Sequence, residues 1–174
     1  DMTAALLAEA ERRGVTVSCD LNFRKKLWSK QKAGEVMSEL VKKVDVLISN
    51  EEDCKDVFGI EAEGSSIKDG SLSKDGYVQI GRKLLKAFPR LKGAAFTLRE
   101  SYSANRNGWS ALYVTADAVY ESKRYDVSII DRVGGGDSFG AGLIHGLRSG
   151  KGERYALEFA VAASCLKHTI EGDF

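Results

Sequence analysis

Cysteine is too scarce and too scattered here to build a disulfide framework. The three residues, Cys19, Cys54 and Cys165, are an odd number and show no C-x-x-C spacing, so reduced, mostly buried thiols of a cytosolic protein are expected. Only two histidines are present, His145 and His168, both far from a second type of metal ligand at suitable spacing, which argues against a zinc site. No nucleophilic triad is visible. The formal charge is close to zero, at +1, so nucleic acid is not an expected partner. No apolar run approaches the roughly 18 residues of a membrane span, so a membrane is not expected either. The opening residues do not read as a secretory signal. Proline occurs once, at Pro89, where it closes a helix.

Glycine, by contrast, is concentrated where it matters. The stretch Asp131-Arg132-Val133-Gly134-Gly135-Gly136-Asp137-Ser138-Phe139-Gly140 runs three successive glycines into an acid. The segment Asp137 to Arg148 that follows has helical composition, with apolar Phe139, Leu143, Ile144 and Leu147. Glycines let a ligand approach bare backbone, and the first N–H groups of a helix lack partners and carry the positive end of its dipole. A phosphate suits such a turn. A carboxylate beside it costs Coulomb energy unless it has a task, and Asp137 has two open readings, helix N-cap and catalytic group.

The familiar nucleotide-binding spacings fail. A dinucleotide fingerprint starting at Gly134 would need glycine where Phe139 stands, and a P-loop starting at Gly135 reaches Gly140 but then meets Ala141 in place of lysine.

The remaining pattern alternates helices and strands. Residues 3–13 place Leu6, Leu7 and Ala10 on one helical face, Gly14 ends that helix, and Val15 to Cys19 reads as a strand. A second amphipathic helix over 33–43, through Val36, Met37, Leu40 and Val41, leads to the strand Val44 to Ser49. Gly59 to Gly76 reads as a surface excursion, then a helix over about 75–88 buries Val78, Ile80, Leu84 and Leu85. Gly93 to Leu98 is a buried strand, and Asn105-Arg106-Asn107-Gly108 is a turn before antiparallel strands over 109–115 and 118–125. Tyr155 to Lys167 is a final helix, with Ala156, Phe159, Ala160, Ala163 and Leu166 on a small-residue face. Helix-then-strand units belong to a parallel sheet covered by helices, with ligands at the strands' C-terminal ends. The chain is long enough for one domain, and its abrupt start and finish suggest an interior piece of a longer protein.

Two strand ends carry polar clusters. Asp20 to Trp28 includes Asn22, Arg24, Lys25 and Lys26, which reads either as a solvated basic loop or as a grip on a carboxylate or phosphate. Asn50-Glu51-Glu52-Asp53 reads either as acids complementing a helix dipole or as carboxylates acting on Mg²⁺ through its waters.

Asp131 to Phe139 resembles the C-terminal signature of the ribokinase-like (PfkB) carbohydrate kinases, D-[TS]-x-G-[AG]-G-D-x-F, with Arg132 where that family often has threonine. The wording DRVGGGDSF and the later Lys167-His168-Thr169 are most similar to the 2-keto-3-deoxygluconate kinase branch. The resemblance implies a three-layer αβα fold, with a mostly parallel sheet and an antiparallel edge extension. Residues 1–174 would be the C-terminal part of one kinase domain, without the N-terminal region of substrate contacts and lid strands. It implies ATP and Mg²⁺ as cofactors, and a terminal sugar-acid hydroxyl as acceptor. Gly134, Gly135 and Gly136 would form the anion hole and Asp137 the base.

Carried over by position, the D-x-N-x-R pattern matches Asp20, Asn22 and Arg24, with Arg24 facing an acceptor carboxylate. The N-x-x-E motif matches Asn50, with Asp53 in place of glutamate and Glu52 or Glu51 sharing the metal role. A T-x-G-x-x-G-like nucleotide segment matches at Thr97 but has Arg99 in the first glycine's place, followed by Ser101. His168 would lie by the adenine pocket. The favoured reaction converts 2-keto-3-deoxygluconate to its 6-phosphate. Fructose-type or ribose-type sugars, or a catalytically incomplete nucleotide-binding fragment, are the alternatives, and a homo-oligomer is left open.

Overall fold

The computed structural model describes residues 2–63 and 73–173. Most of the expected excursion between Gly59 and Gly76 lies outside the described residues. Its near end is held in place: Ala62 is buried, and the amide of Glu63 donates to the Gln79 side chain at 3.0 Å. The chain divides into two compact units, Asp1–Phe96 with Val114–Ala118, and Thr97–Tyr113 with Val119–Phe174.

The first unit is a parallel α/β layer. Helix α1 (Met2–Arg12) ends at Gly14, which takes φ 65°, and leads to the short strand β1 (Ser18–Asp20). Helix α2 (Lys30–Leu40) starts where the Ser29 hydroxyl accepts the Lys32 amide, and it closes in a 3₁₀ turn at Val41–Lys43. Strand β2 (Val46–Ser49) is buried along its whole length, as a central parallel strand covered on both faces must be. It pairs in parallel with β1, Cys19 opposite Leu47, and with the start of β3 (Gly93–Ser101), Leu47 opposite Ala94. Helices α3 (Glu51–Phe58) and α4 (Lys74–Ala87) complete the unit. Val41, Leu47, Ile80, Leu84, Phe96 and Val114 form its dry centre.

Glycine makes one of these contacts possible. A Cβ at Gly81 of α4 would lie 2.8 Å from the Val114 side chain, so the helix can settle on its strand only with hydrogen at that place. Tyr77, one turn earlier, is the buried aromatic of α4, while Val78 and Leu85 are only half-buried. The expected apolar face of α1 is uncovered: Leu6 is 63% exposed and none of the helix's residues is buried.

The second unit combines antiparallel strands with a tight helix pair. Strand β4 (Arg106–Thr115) lies between the later part of β3 and β5 (Val119–Glu121), and β6 (Tyr125–Ser128) also pairs antiparallel with β4, Asn107 opposite Val127. The turn before β4 falls at residues 102–105, earlier than the expected Asn105 to Gly108, which mostly lies inside the strand. Gly108 serves a different need. A Cβ there would meet the Arg124 guanidinium at 2.7 Å. The single strand expected over 118–125 is split because Ser122 interrupts it: its hydroxyl accepts the Ala111 amide at 2.9 Å and donates to the Lys123 carbonyl at 2.8 Å.

Helices α5 (Gly135–Arg148) and α6 (Glu153–Lys167) approach until a Cβ on Gly142 would sit 2.8 Å from the Ala160 Cα, and one on Gly146 2.4 Å from the Ala156 Cα. Of the face expected on α6, Ala156, Ala160 and Ala163 make this contact, while Phe159 and Leu166 are exposed. Phe139, Leu143, Leu157 and Val161 fill the space around it.

Candidate functional site

In the second unit the glycine turn is built as the sequence suggests, with one difference. Gly134, not Asp137, is the N-cap of α5; it takes φ 74°, a left-handed conformation that glycine adopts without strain, and its carbonyl accepts the Ser138 amide at 2.8 Å. Asp137 is the third residue of the helix, exposed, in the first turn. The capping reading of Asp137 therefore falls away. The carboxylate stands free at the positive end of a 14-residue helix.

The three glycines face three different environments. At Gly134 a Cβ would lie 2.9 Å from Asp173 Oδ1 and 3.0 Å from Lys167 Cε, and at Gly135 it would lie 2.6 Å from the His168 ring. At Gly136 it would meet nothing within 4 Å. The turn is thus supported from behind at two positions and open at the third, which is the asymmetry an anion-binding backbone needs.

The supports come from the end of α6. His168 is buried, its Nδ1 lies 2.7 Å from the Ser164 carbonyl, and its ring packs on Trp109 with centroids 4.7 Å apart. Its ring is therefore part of the wall behind Gly135. Lys167 points its ammonium at the carbonyls of Ile170 and Gly172. Asp131 holds the turn from the other end, accepting the amides of Val133 at 3.0 Å and Gly172 at 2.9 Å. Those two N–H groups, Val133 first, hold its carboxyl below the ordinary value. Arg132, which stands where the resembled signature often has threonine, donates to the Ala104 carbonyl at 2.6 Å and so ties the 102–105 turn to the glycine stretch.

Thr97, Arg99 and Ser101 all lie in β3, which continues three residues past the expected strand end at Leu98. Their i, i+2 spacing puts them on one face, and Arg99 and Ser101 are exposed.

In the first unit the segment after β1 is anchored by its apolar residues, Leu21 and Phe23, both buried, while Asn22 and Arg24 between and after them are exposed. Asn22 has φ 38°, and it is the one non-glycine among the described residues with positive φ. Such a conformation is uncommon outside glycine and asparagine, and strain of this kind concentrates at functional sites. Lys25 is engaged with Asp56 at 3.3 Å.

The Asn50 to Asp53 cluster divides its labour. Asn50 caps α3, its Oδ1 accepting the Asp53 amide at 2.8 Å, and its Nδ2 donates to Asp53 Oδ2 at 3.2 Å. The same Asp53 oxygen accepts the Phe23 amide at 3.2 Å. Burial above all raises the Asp53 carboxyl above its ordinary value, against the pull of the Phe23 amide and the Arg24 charge. Glu51 accepts the Tyr77 hydroxyl at 2.7 Å, and Glu52 is exposed. Among the described residues no group of three or more His, Cys, Asp or Glu side chains could hold a metal ion. The sequence did not single out Ser164, Asp131's double acceptor role or the Asp53 tether, because each depends on a partner distant in the chain.

An α/β arrangement with parallel strands, antiparallel strands and a glycine-capped helix presenting an exposed acid defines the ribokinase-like three-layer class. Residues 108–173 match the profile of the pfkB family carbohydrate kinase. A crystal structure of 2-dehydro-3-deoxygluconokinase from Thermotoga maritima superposes with a TM-score of 0.87 at 45% identity, over 97% of this chain and 49% of that one. A PfkB family carbohydrate kinase from Listeria grayi follows with a TM-score of 0.84 at 31% identity, covering 99% and 50%. In sequence, a 2-dehydro-3-deoxygalactonokinase of Haloferax volcanii is 28% identical over 99% of this chain and 48% of its own length. The match to that family is carried by residues 108–173, and the chain spans about half the length of these relatives.

Proposed function

We propose that this chain carries the phosphate-binding and proton-accepting part of an ATP-dependent carbohydrate kinase that phosphorylates the terminal hydroxyl of a sugar acid. The first candidate acceptor is 2-keto-3-deoxygluconate, giving its 6-phosphate. One observation carries the reading: Asp137 is exposed one residue beyond the open Gly136, at a helix tip where it caps nothing. A carboxylate there is free to face an alcohol while the neighbouring N–H groups hold the phosphoryl that the alcohol attacks. The relatives named for 2-dehydro-3-deoxy sugar acids support the choice of acceptor.

In that reaction the acceptor oxygen forms a bond to the terminal phosphorus of ATP as the bond to the ADP oxygen breaks, and Asp137 takes the hydroxyl proton. A loose transition state needs that proton late, so placement of the carboxylate matters more than its basicity. The amides of Gly134, Gly136 and Asp137 would stabilise charge on the phosphoryl oxygens. Bound Mg²⁺ would neutralise nucleotide phosphate charge, with Glu52 the exposed carboxylate available to its waters and Asp53 beside it. Arg24 is assigned the acceptor carboxylate, since a guanidinium forks onto it with two parallel hydrogen bonds. Thr97, Arg99, Ser101, Asn22 and Asn50 are assigned to the nucleotide.

The test is an acceptor screen on the full-length chain with ATP and Mg²⁺, following ADP release. Turnover with 2-keto-3-deoxygluconate or its galactose-derived epimer, well above that with fructose or ribose, is expected. Preference for a neutral sugar would reject the acceptor, and ATP binding without turnover on any sugar would favour the incomplete-fragment reading. Of the three thiols, Cys54 is buried and Cys19 and Cys165 are half-buried, fewer than the mostly buried set expected; desolvation pushes Cys54 up to about 12, and Cys19 and Cys165 up to about 11.

A further inference from the structure

Ser164 lies within α6 and is fully buried. A buried serine inside a helix ordinarily satisfies itself on a carbonyl of its own preceding turn. Ser164 does something else. Its hydroxyl donates at 2.8 Å to the carbonyl of Gly135, the first residue of α5, 29 positions earlier.

That bond has a directional consequence. The described chain contains no cis peptide bonds, and in a trans peptide the carbonyl and the following N–H point in opposite directions. Fixing the Gly135 oxygen towards α6 therefore aims the Gly136 N–H away from α6; a Cβ on Gly136 itself would meet no atom within 4 Å. The peptide is also braced from behind. The His168 ring sits where a Gly135 Cβ would come within 2.6 Å, and its Nδ1 lies 2.7 Å from the carbonyl of the same Ser164.

We propose that Ser164 is a positioning residue of the anion hole: by holding the Gly135 carbonyl it presets the Gly135–Gly136 peptide so that the Gly136 amide faces the incoming phosphoryl. The proposal rests on the kinase reading of the glycine turn. A preset donor does not have to reorganise as charge develops, and this is where electrostatic catalysis gains most. Ser164 would act on turnover through Gly136 without touching substrate.

The test uses the full-length chain, labelled with ¹⁵N, and the non-hydrolysable ATP analogue AMP-PNP with Mg²⁺. In the wild type the Gly136 amide resonance should move as the analogue saturates. In Ser164→Ala that movement should fall to less than half, with kcat lowered roughly 5- to 20-fold and the KM for ATP within about twofold. A Gly136 amide indifferent to bound analogue in the wild type would overturn the kinase reading of the turn itself. A wild-type Gly136 response in Ser164→Ala, with unchanged kcat, would overturn the role of Ser164 and leave that reading standing. If Ser164→Ala does not fold, Ser164→Cys keeps the shape and offers only a weak S–H donor; intermediate values of both readouts are expected, and full wild-type values there would overturn the proposal.

Discussion

Asp53 Oδ2 accepts the backbone N–H of Phe23 at 3.2 Å across 30 residues of chain, joining the first turn of α3 to the segment that carries Asn22 and Arg24. The carboxylate is a tether as well as a member of an acidic cluster. Asp53→Ala leaves the part-buried Phe23 amide without this acceptor and should cost about 1–3 kcal/mol in urea unfolding. A tether alone predicts no change in the Mg²⁺ concentration needed for half-maximal activity; a metal role acting through water predicts a clear rise. A variant as stable as the wild type would contradict the tether.

Gly135 and Gly136 are neighbours with opposite sensitivities. Gly135→Ala drives a methyl into the His168 ring, 2.6 Å away, and should lower stability by about 1–3 kcal/mol, seen as a lower Tm. Gly136→Ala meets no protein atom, so its Tm should hold while ATP-dependent turnover falls at least tenfold. Equal stability losses at both positions would contradict the described turn.

Asp45 makes the first unit acid-sensitive. Burial pushes its carboxyl up, but the Val17 amide at 2.9 Å, with Lys92 and Arg90, outweighs that and holds it below the ordinary 3.8. With the folded value depressed, the stabilisation is complete above the unfolded value and is lost as pH falls through the folded one. Asp45→Asn should lower stability at neutral pH by about 1–3 kcal/mol, mainly through the Val17 bond because Lys92 is exposed and screened. It should also flatten the stability profile between about pH 5 and about pH 2. Parallel profiles for variant and wild type would show that Asp45 is not the titrating group.

Arg24→Lys keeps a cation but loses the fork. Turnover on a sugar acid should fall about tenfold or more at subsaturating acceptor, with a much smaller loss on a neutral sugar. Equal losses on both acceptors would remove Arg24 from the carboxylate.

What could be read from sequence alone follows from where the information lies. β2 was legible because a strand buried on both faces is an unbroken apolar run, and the glycine turn because its three glycines stand directly before a helical segment. The position of the turn before β4 was not, because Gly108 looks like a turn residue but lies inside β4. Asp137 carried two readings until the cap was seen to be Gly134, whose φ of 74° no pattern of residue types reports. Leu6 illustrates the reverse difficulty, since its helical periodicity is real but nothing in the described chain buries it. Ser164 gave no local signal at all: it is one small residue on a small-residue face, and its role lies in a bond to another helix.

The central claim is that Asp137 accepts the acceptor's proton beside a backbone phosphate site. It is tested most directly by comparing Asp137→Asn with the wild type in single-turnover phosphorylation, alongside calorimetric ATP binding, in the full-length chain. The account predicts phosphorylation slowed by roughly 10²–10⁴-fold with ATP affinity nearly unchanged. Phosphorylation within about threefold of the wild type would contradict it.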